Sequence, residues 1–162
     1  MEITPEAVAE EYRWTRERAP VVVALINETR DRLAETFDTE VGRVDDPAYL
    51  ASVDEVYGDG ERAVNVAAYT RLLRDLDVTD DYPGFVVDEV LGRELAATVA
   101  GGQPLALLAQ ATFHVADVHT HGDGPAGADD LDAALAAGFQ TRLPGWPWRE
   151  AESPFAVASD RE

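Results

Sequence analysis

The stretch that decides the fold is Gln103-Pro-Leu-Ala-Leu-Leu-Ala-Gln-Ala-Thr-Phe-His-Val-Ala-Asp-Val-His-Thr-His-Gly122, which holds all three histidines of the chain. Its first half is helical in composition, and Pro104 follows Gly101-Gly102 at the position where a helix favours proline. We therefore predict a helix here. Its apolar stripe at helical spacing, the side expected to face the core, consists of Leu108, Ala111, Val115 and Val118.

The same helix carries a second, polar stripe formed by Gln110, His114, Asp117 and His121. Asp117 lies three residues after His114 and four before His121, spacings from which two side chains can reach one ion. The two histidines are about 10 Å apart along the axis, so all three residues cannot easily share one ion, and one or two further ligands would come from another helix. The stretch thus offers a site for a divalent transition metal, and no other cofactor is predicted. The alternative is structural: His114 pairs with Asp117, and His121 contacts carbonyls at the helix end.

The six residues Asp117-Val-His-Thr-His-Gly122 resemble the His-x-His opening of amidohydrolase and PHP-type metal-dependent hydrolases. That resemblance would imply a strand, because alternate residues of a strand point the same way. However, 41 residues follow His121 without another histidine, and the preceding run is helical in composition. We therefore interpret the match as coincidence.

Working outward, Thr4-Pro5-Glu6 is typical of a helix start, and apolar positions keep a helical phase to Phe37 across Pro20. Either one kinked helix or two helices meeting near Ala19 would explain this pattern. Further helices are predicted at about 46–51, 62–76, 85–100 and 129–137, the last ending at Gly138. Since no alternating strand pattern occurs, we predict an all-α, single-domain bundle of five or six helices over residues 1–140. Residues 141–162 are expected to form an irregular segment packed on it, with a frayed end.

The charge of the chain is extreme: the net value is −19, and all 13 basic residues are arginine. Such self-repulsion disfavours a compact domain in dilute buffer, whereas about 1 M salt shortens the screening length to ~3 Å. The acidic residues are scattered along the chain. The composition therefore predicts a halophilic protein with an acidic surface; the alternative is an ordinary acidic protein. The N-terminus lacks a signal-peptide pattern, and the longest apolar run, Val21–Ile26, is too short for a membrane span, so we expect a cytoplasmic protein without a membrane partner.

Several function classes lack support in the sequence. Cysteine is absent, and none of the three serines has a histidine nearby in sequence. We therefore expect a non-enzymatic module that binds a partner protein or a small ligand between helices; its oligomeric state is open. One alternative is a metal-binding or metal-dependent protein that uses His114, Asp117 and His121. A second is a transcriptional regulator with a helix-turn-helix within 69–91, although acidic residues on its second helix would repel phosphates, so nucleic acid is not expected.

Trp146 and Trp148 form an aromatic pair framed by prolines and a glycine. They could fold the C-terminal segment back over the helices as a clasp, because tryptophan buries a large area. Alternatively, they could form a docking surface for a partner protein, in which tryptophan is a common anchor. The sequence favours the clasp but leaves both interpretations open.

Overall fold

The computed structural model describes residues 2–75, 87–117 and 126–146. Within these ranges the chain forms seven α-helices and no strand. The helices are α1 Pro5–Glu17, α2 Ala19–Thr36, α3 Asp46–Tyr57, α4 Gly60–Asp75, α5 Arg93–Ala100, α6 Leu105–Asp117 and α7 Ala126–Arg142, with a π-helical turn, Val87–Gly92, leading directly into α5. The predicted all-α class is confirmed, but the described part of the chain holds more helices than the five or six expected.

One source of the higher count is a break between α1 and α2. Thr4 begins α1, its hydroxyl accepting a hydrogen bond from the Ala7 amide at 3.0 Å. α1 ends at Glu17, and Arg18 forms a turn whose carbonyl accepts from the amides of the residues that open α2. Pro20 stands in the first turn of α2, where a missing amide proton costs little. Of the two alternatives at Pro20, two separate helices are therefore correct.

The centre of the bundle is α7. Every residue from Ala133 to Thr141 is buried, as expected for a helix that is surrounded by other elements. The prediction that this helix ends at Gly138 is wrong, because α7 continues to Arg142. The glycine instead permits close packing on α5: a Cβ there would lie 2.7 Å from Val99 Cβ and 2.9 Å from the Ala96 carbonyl oxygen.

The predicted helix of the histidine stretch is confirmed up to Asp117, where the described part ends. Its predicted inward face is wrong: Ala111 is exposed and Leu108 only half-buried. The buried residues are Ala109, Thr112, Phe113 and Ala116. Small side chains on this face allow close approach to neighbouring helices, and the Phe113 ring packs over Gly92, where a Cβ would lie 2.5 Å from Cζ. Close packing against neighbouring helices, and not the hydrophobicity of the side chains alone, therefore determines which face of α6 is buried.

Other predicted boundaries agree in part. The predicted helix at 46–51 is longer and runs to Tyr57, and Gly101 follows α5 with a φ of +103°, a conformation that suits glycine. The proposed helix-turn-helix includes residues 76–86, which lie outside the described residues. In the part of the chain that the structure covers, no helix combines the length and apolar character needed to cross a membrane.

A buried arginine joins the loop after α2 to the segment after α7. Arg30 is fully buried on α2. Its Nη1 donates to the carbonyls of Gly42 at 2.5 Å and Pro144 at 2.7 Å, and Nη2 donates to those of Gln140 at 2.8 Å and Leu143 at 3.1 Å. One side chain thus fixes residues 42 and 140–144 relative to α2. We call this arrangement the Arg30 cage.

Candidate functional site

The structure brings two of the predicted metal ligands onto one helix face. His114 and Asp117 lie three residues apart on α6, the first exposed and the second half-buried. His119 and His121 lie outside the described residues. Within the described ranges, no group of three or more histidine, aspartate or glutamate side chains is arranged to hold an ion. The metal site therefore remains a prediction.

The predicted tryptophan pair is described only at Trp146. Its indole Nε1 donates to the Gln140 carbonyl at 3.0 Å, and the Arg30 guanidinium carbon lies 5.7 Å from its ring centroid. These contacts attach Trp146 to the Arg30 cage. Trp148 lies outside the described residues, so the choice between clasp and docking surface stays open.

A groove that sequence analysis did not identify lies between α1 and α3. It encloses about 330 Å³ and is open to solvent. Its lining residues are Pro5, Val8, Ala9, Tyr12, Asp54, Tyr57 and Gly58. We call this cavity the α1–α3 groove. Its walls are mainly apolar and aromatic, and among the described residues that line it Asp54 is the only charged one.

Asp54 belongs to a small polar cluster at the groove. The Tyr12 hydroxyl donates to Asp54 Oδ1 at 2.6 Å, and Arg16 Nη1 donates to the same oxygen at 2.5 Å. The hydrogen bond from Tyr12, assisted by Arg16, lowers the pKa of Asp54 below its ordinary value. That bond also raises the pKa of Tyr12. The cluster therefore presents an ionised carboxylate beside a neutral phenol at neutral pH.

The second aromatic wall is Tyr57. Its ring centroid lies 5.4 Å from that of Tyr12, with the ring planes inclined at 57°. The Tyr57 hydroxyl lies 3.4 Å from Thr15 Oγ1, and burial raises the pKa of Tyr57 to about 12. The two rings thus form a neutral, tilted pair on one side of the groove.

Ion pairs hold the α1 wall of the groove in position. Glu11 is buried on α1 and accepts from Arg71 Nε at 3.0 Å and Arg74 Nη1 at 2.6 Å, both on α4. The Arg74 guanidinium carbon also lies 4.6 Å from the Trp14 ring centroid. Beyond the end of α1, Arg18 pairs with Asp132 of α7 at 2.7 Å. α1 is therefore fixed on α4, and its following turn on α7, before any ligand binds.

A second hollow, of about 420 Å³, is lined by Asp59, Glu61, Arg62, Asn65, Thr98 and Gly101. It contains charges of both signs, and Arg62 already pairs with Asp59 at 3.1 Å. These mixed charges therefore favour neither an anionic nor a cationic ligand. The α1–α3 groove is the better candidate site.

The fold and the groove define a class: an all-α domain with a solvent-open, apolar groove between two helices. The chain belongs to the family described as Domain of unknown function (DUF7984), whose model matches residues 1–159. No match was found among the curated proteins or among the solved structures.

Proposed function

We propose that this protein is a non-enzymatic binding module of a salt-accumulating organism, acting in its cytoplasm. Its function would be to hold a small ligand in the α1–α3 groove. The observation that carries this proposal is the combination of apolar walls with a single carboxylate, that of Asp54, among the described residues of the groove. Apolar walls supply affinity, and one placed polar group fixes the orientation of a ligand.

The dimensions of the groove support a small molecule as its occupant. A volume of about 330 Å³ lies near the lower end of the range typical of ligand pockets, ~300–1,000 Å³. The ion pairs of Glu11 hold α1 on α4, so the free protein needs little ordering on binding. Because this wall is already formed in the free protein, we expect little conformational change on binding, which favours affinity.

The proposal is tested by filling the groove. Ala9 is exposed within the groove, and Ala51 is an exposed alanine of α3 that does not line it. A fragment library is screened by ligand-observed NMR at molar KCl against wild type, Ala9→Trp and Ala51→Trp. We expect fragments that lose binding to Ala9→Trp but keep it with Ala51→Trp. If no fragment distinguishes the two variants, the groove is not a ligand site.

A second candidate function is metal binding through His114, Asp117 and His121. It is favoured by the helical form of α6, which keeps exposed His114 one turn from Asp117. Protein purified without an affinity tag from metal-replete medium is analysed for metal. A stoichiometric transition metal that is lost in His114→Ala would support this function, and the lack of any metal would count against it.

A further inference from the structure

The outward side of α6 is apolar, although the fold leaves it open to solvent. Leu107 is 55% exposed and Ala111 is exposed, while Leu108 and Val115 beside them are half-buried. Ala111 lies three or four residues from each of the other three, so all four lie on one side of the helix. This side is turned away from the buried face of α6. We call these four residues the α6 outer face.

The composition of α6 is that of a helix enclosed by other elements. Residues 95–116 contain no aspartate, glutamate, arginine or lysine, although 28% of the chain is charged. Residues 133–141 of α7 likewise contain none of these, and every one of them is buried. A helix that has no charged face is normally covered on all sides. In a chain of net charge −19, an exposed apolar face without a carboxylate therefore indicates an interaction surface.

We propose that the α6 outer face is covered by the same face of a second copy of this chain. Two copies that each carry a net charge of −19 repel one another wherever carboxylates meet, and this face contributes none. At about 1 M salt the screening length is ~3 Å, so carboxylates beyond the face oppose the contact little. A basic partner would be attracted to acidic surfaces instead. The charge distribution therefore favours an acidic partner, and a second copy brings a matching neutral face.

The order of large and small side chains on this face allows two copies to fit together. Ala111 is the middle residue of α6, which runs from Leu105 to Asp117. Two α6 helices that cross antiparallel at Ala111 would overlap along their whole lengths, with Leu107 of each copy opposite Val115 of the other. Alanine at the crossing lets the two helix axes approach closely. Such a two-fold contact uses the same patch on both copies, so the face is complementary to itself.

The size of the face predicts a reversible dimer. A helix of 13 residues is about 20 Å long, so one helix pair should bury less than the ~800 Å² per partner of a standard stable interface. The two copies should therefore associate and dissociate with protein concentration. The contact is separate from the α1–α3 groove, because none of the described residues that line the groove lies on α6. The dimer and the proposed function can therefore be tested independently.

The chain contains no cysteine, so a single introduced thiol reports directly on this contact. In Ala111→Cys the thiols of two paired copies would meet at the crossing, where a disulfide needs Cα atoms about 4.4–6.8 Å apart. The matched control is Ala51→Cys, which replaces an exposed alanine of α3. Both variants are oxidised at molar KCl and separated by non-reducing electrophoresis. A third variant adds Leu107→Glu to Ala111→Cys, which places a carboxylate in the contact at a position where the folded monomer tolerates it.

We expect Ala111→Cys to form a covalent dimer at least about tenfold faster than Ala51→Cys, and Leu107→Glu to remove that difference. In sedimentation velocity at molar KCl, the average mass of the wild type should rise with concentration, whereas Leu107→Glu alone should stay monomeric. Equal oxidation rates of the two cysteine variants would overturn the proposal. A wild type that stays monomeric up to millimolar concentration would do the same. A wild-type dimer that Leu107→Glu leaves intact would also overturn it, because its contact would lie elsewhere.

Discussion

Replacing Arg30 by methionine would remove the donors of the Arg30 cage while keeping an apolar stem. The carbonyls of Gly42, Pro144 and Leu143 would lose the guanidinium as their donor. The Gln140 carbonyl would keep its hydrogen bond from the indole of Trp146. The cost of the substitution therefore comes mainly from three carbonyl groups.

A buried polar group left without a partner costs about 1–3 kcal/mol. Two of the three carbonyls lie where the hydrogen bond is only partly buried, so water can replace part of the loss. Methionine also avoids the desolvation of a buried charge. We expect a net loss of about 3–5 kcal/mol in the free energy of unfolding, which is a large part of the ~5–15 kcal/mol of a typical domain.

Urea unfolding at fixed molar KCl, followed by circular dichroism, measures this loss. The matched control is Arg43→Met, because Arg43 pairs with Asp31 at 2.9 Å while 65% and 59% of the two side chains are exposed. The control should change stability by less than about 1 kcal/mol. A similarly small change for Arg30→Met would refute the argument, since it would mean that water or rearrangement satisfies the cage carbonyls.

Three further predictions concern packing, pH and salt. Gly138→Ala should destabilise by about 1–3 kcal/mol in the same urea assay, because its Cβ would clash with Val99, whereas Gly60→Ala, which meets no atom within 4 Å, should be neutral or stabilising. Burial raises the folded-state pKa of Tyr57 from 10.0 to about 12, so this residue makes stability fall as the pH rises from 10 to 12. In urea titrations at pH 10 to 12, Tyr57→Phe should reduce the loss of unfolding free energy with rising pH. An unchanged pH dependence would contradict the raised pKa of Tyr57. The melting temperature should rise from dilute to molar KCl, and a constant value would oppose the halophilic interpretation.

Much of the helix layout could be predicted because it depends on local chemistry. Thr4 caps α1, Gly101 follows α5, and Pro104 precedes α6, as the sequence indicates. These signals require only neighbouring residues. The end of α7 could not be predicted, because Gly138 is typical of a helix terminus by itself and is used within α7 to approach Val99.

The groove and the Arg30 cage were missed for a related reason. Tyr12 and Asp54 are 42 residues apart, and Arg30 lies 110 residues or more from three of its four acceptors. A partial signal existed: Tyr12 and Arg16 are four residues apart, as two groups on one helix face should be. Nothing local indicates that α3 supplies the carboxylate between them.

The position of α7 in the chain has a consequence for synthesis on the ribosome. α7 is the last of the described helices, yet its residues from Ala133 to Thr141 are buried among the elements that precede it. In a growing chain that has emerged only as far as α6, the helices would expose the apolar faces that pack on α7 in the folded protein. Nascent chains that stop before residue 126 should therefore recruit chaperones, and protease resistance should arise only after Arg142 has left the exit tunnel.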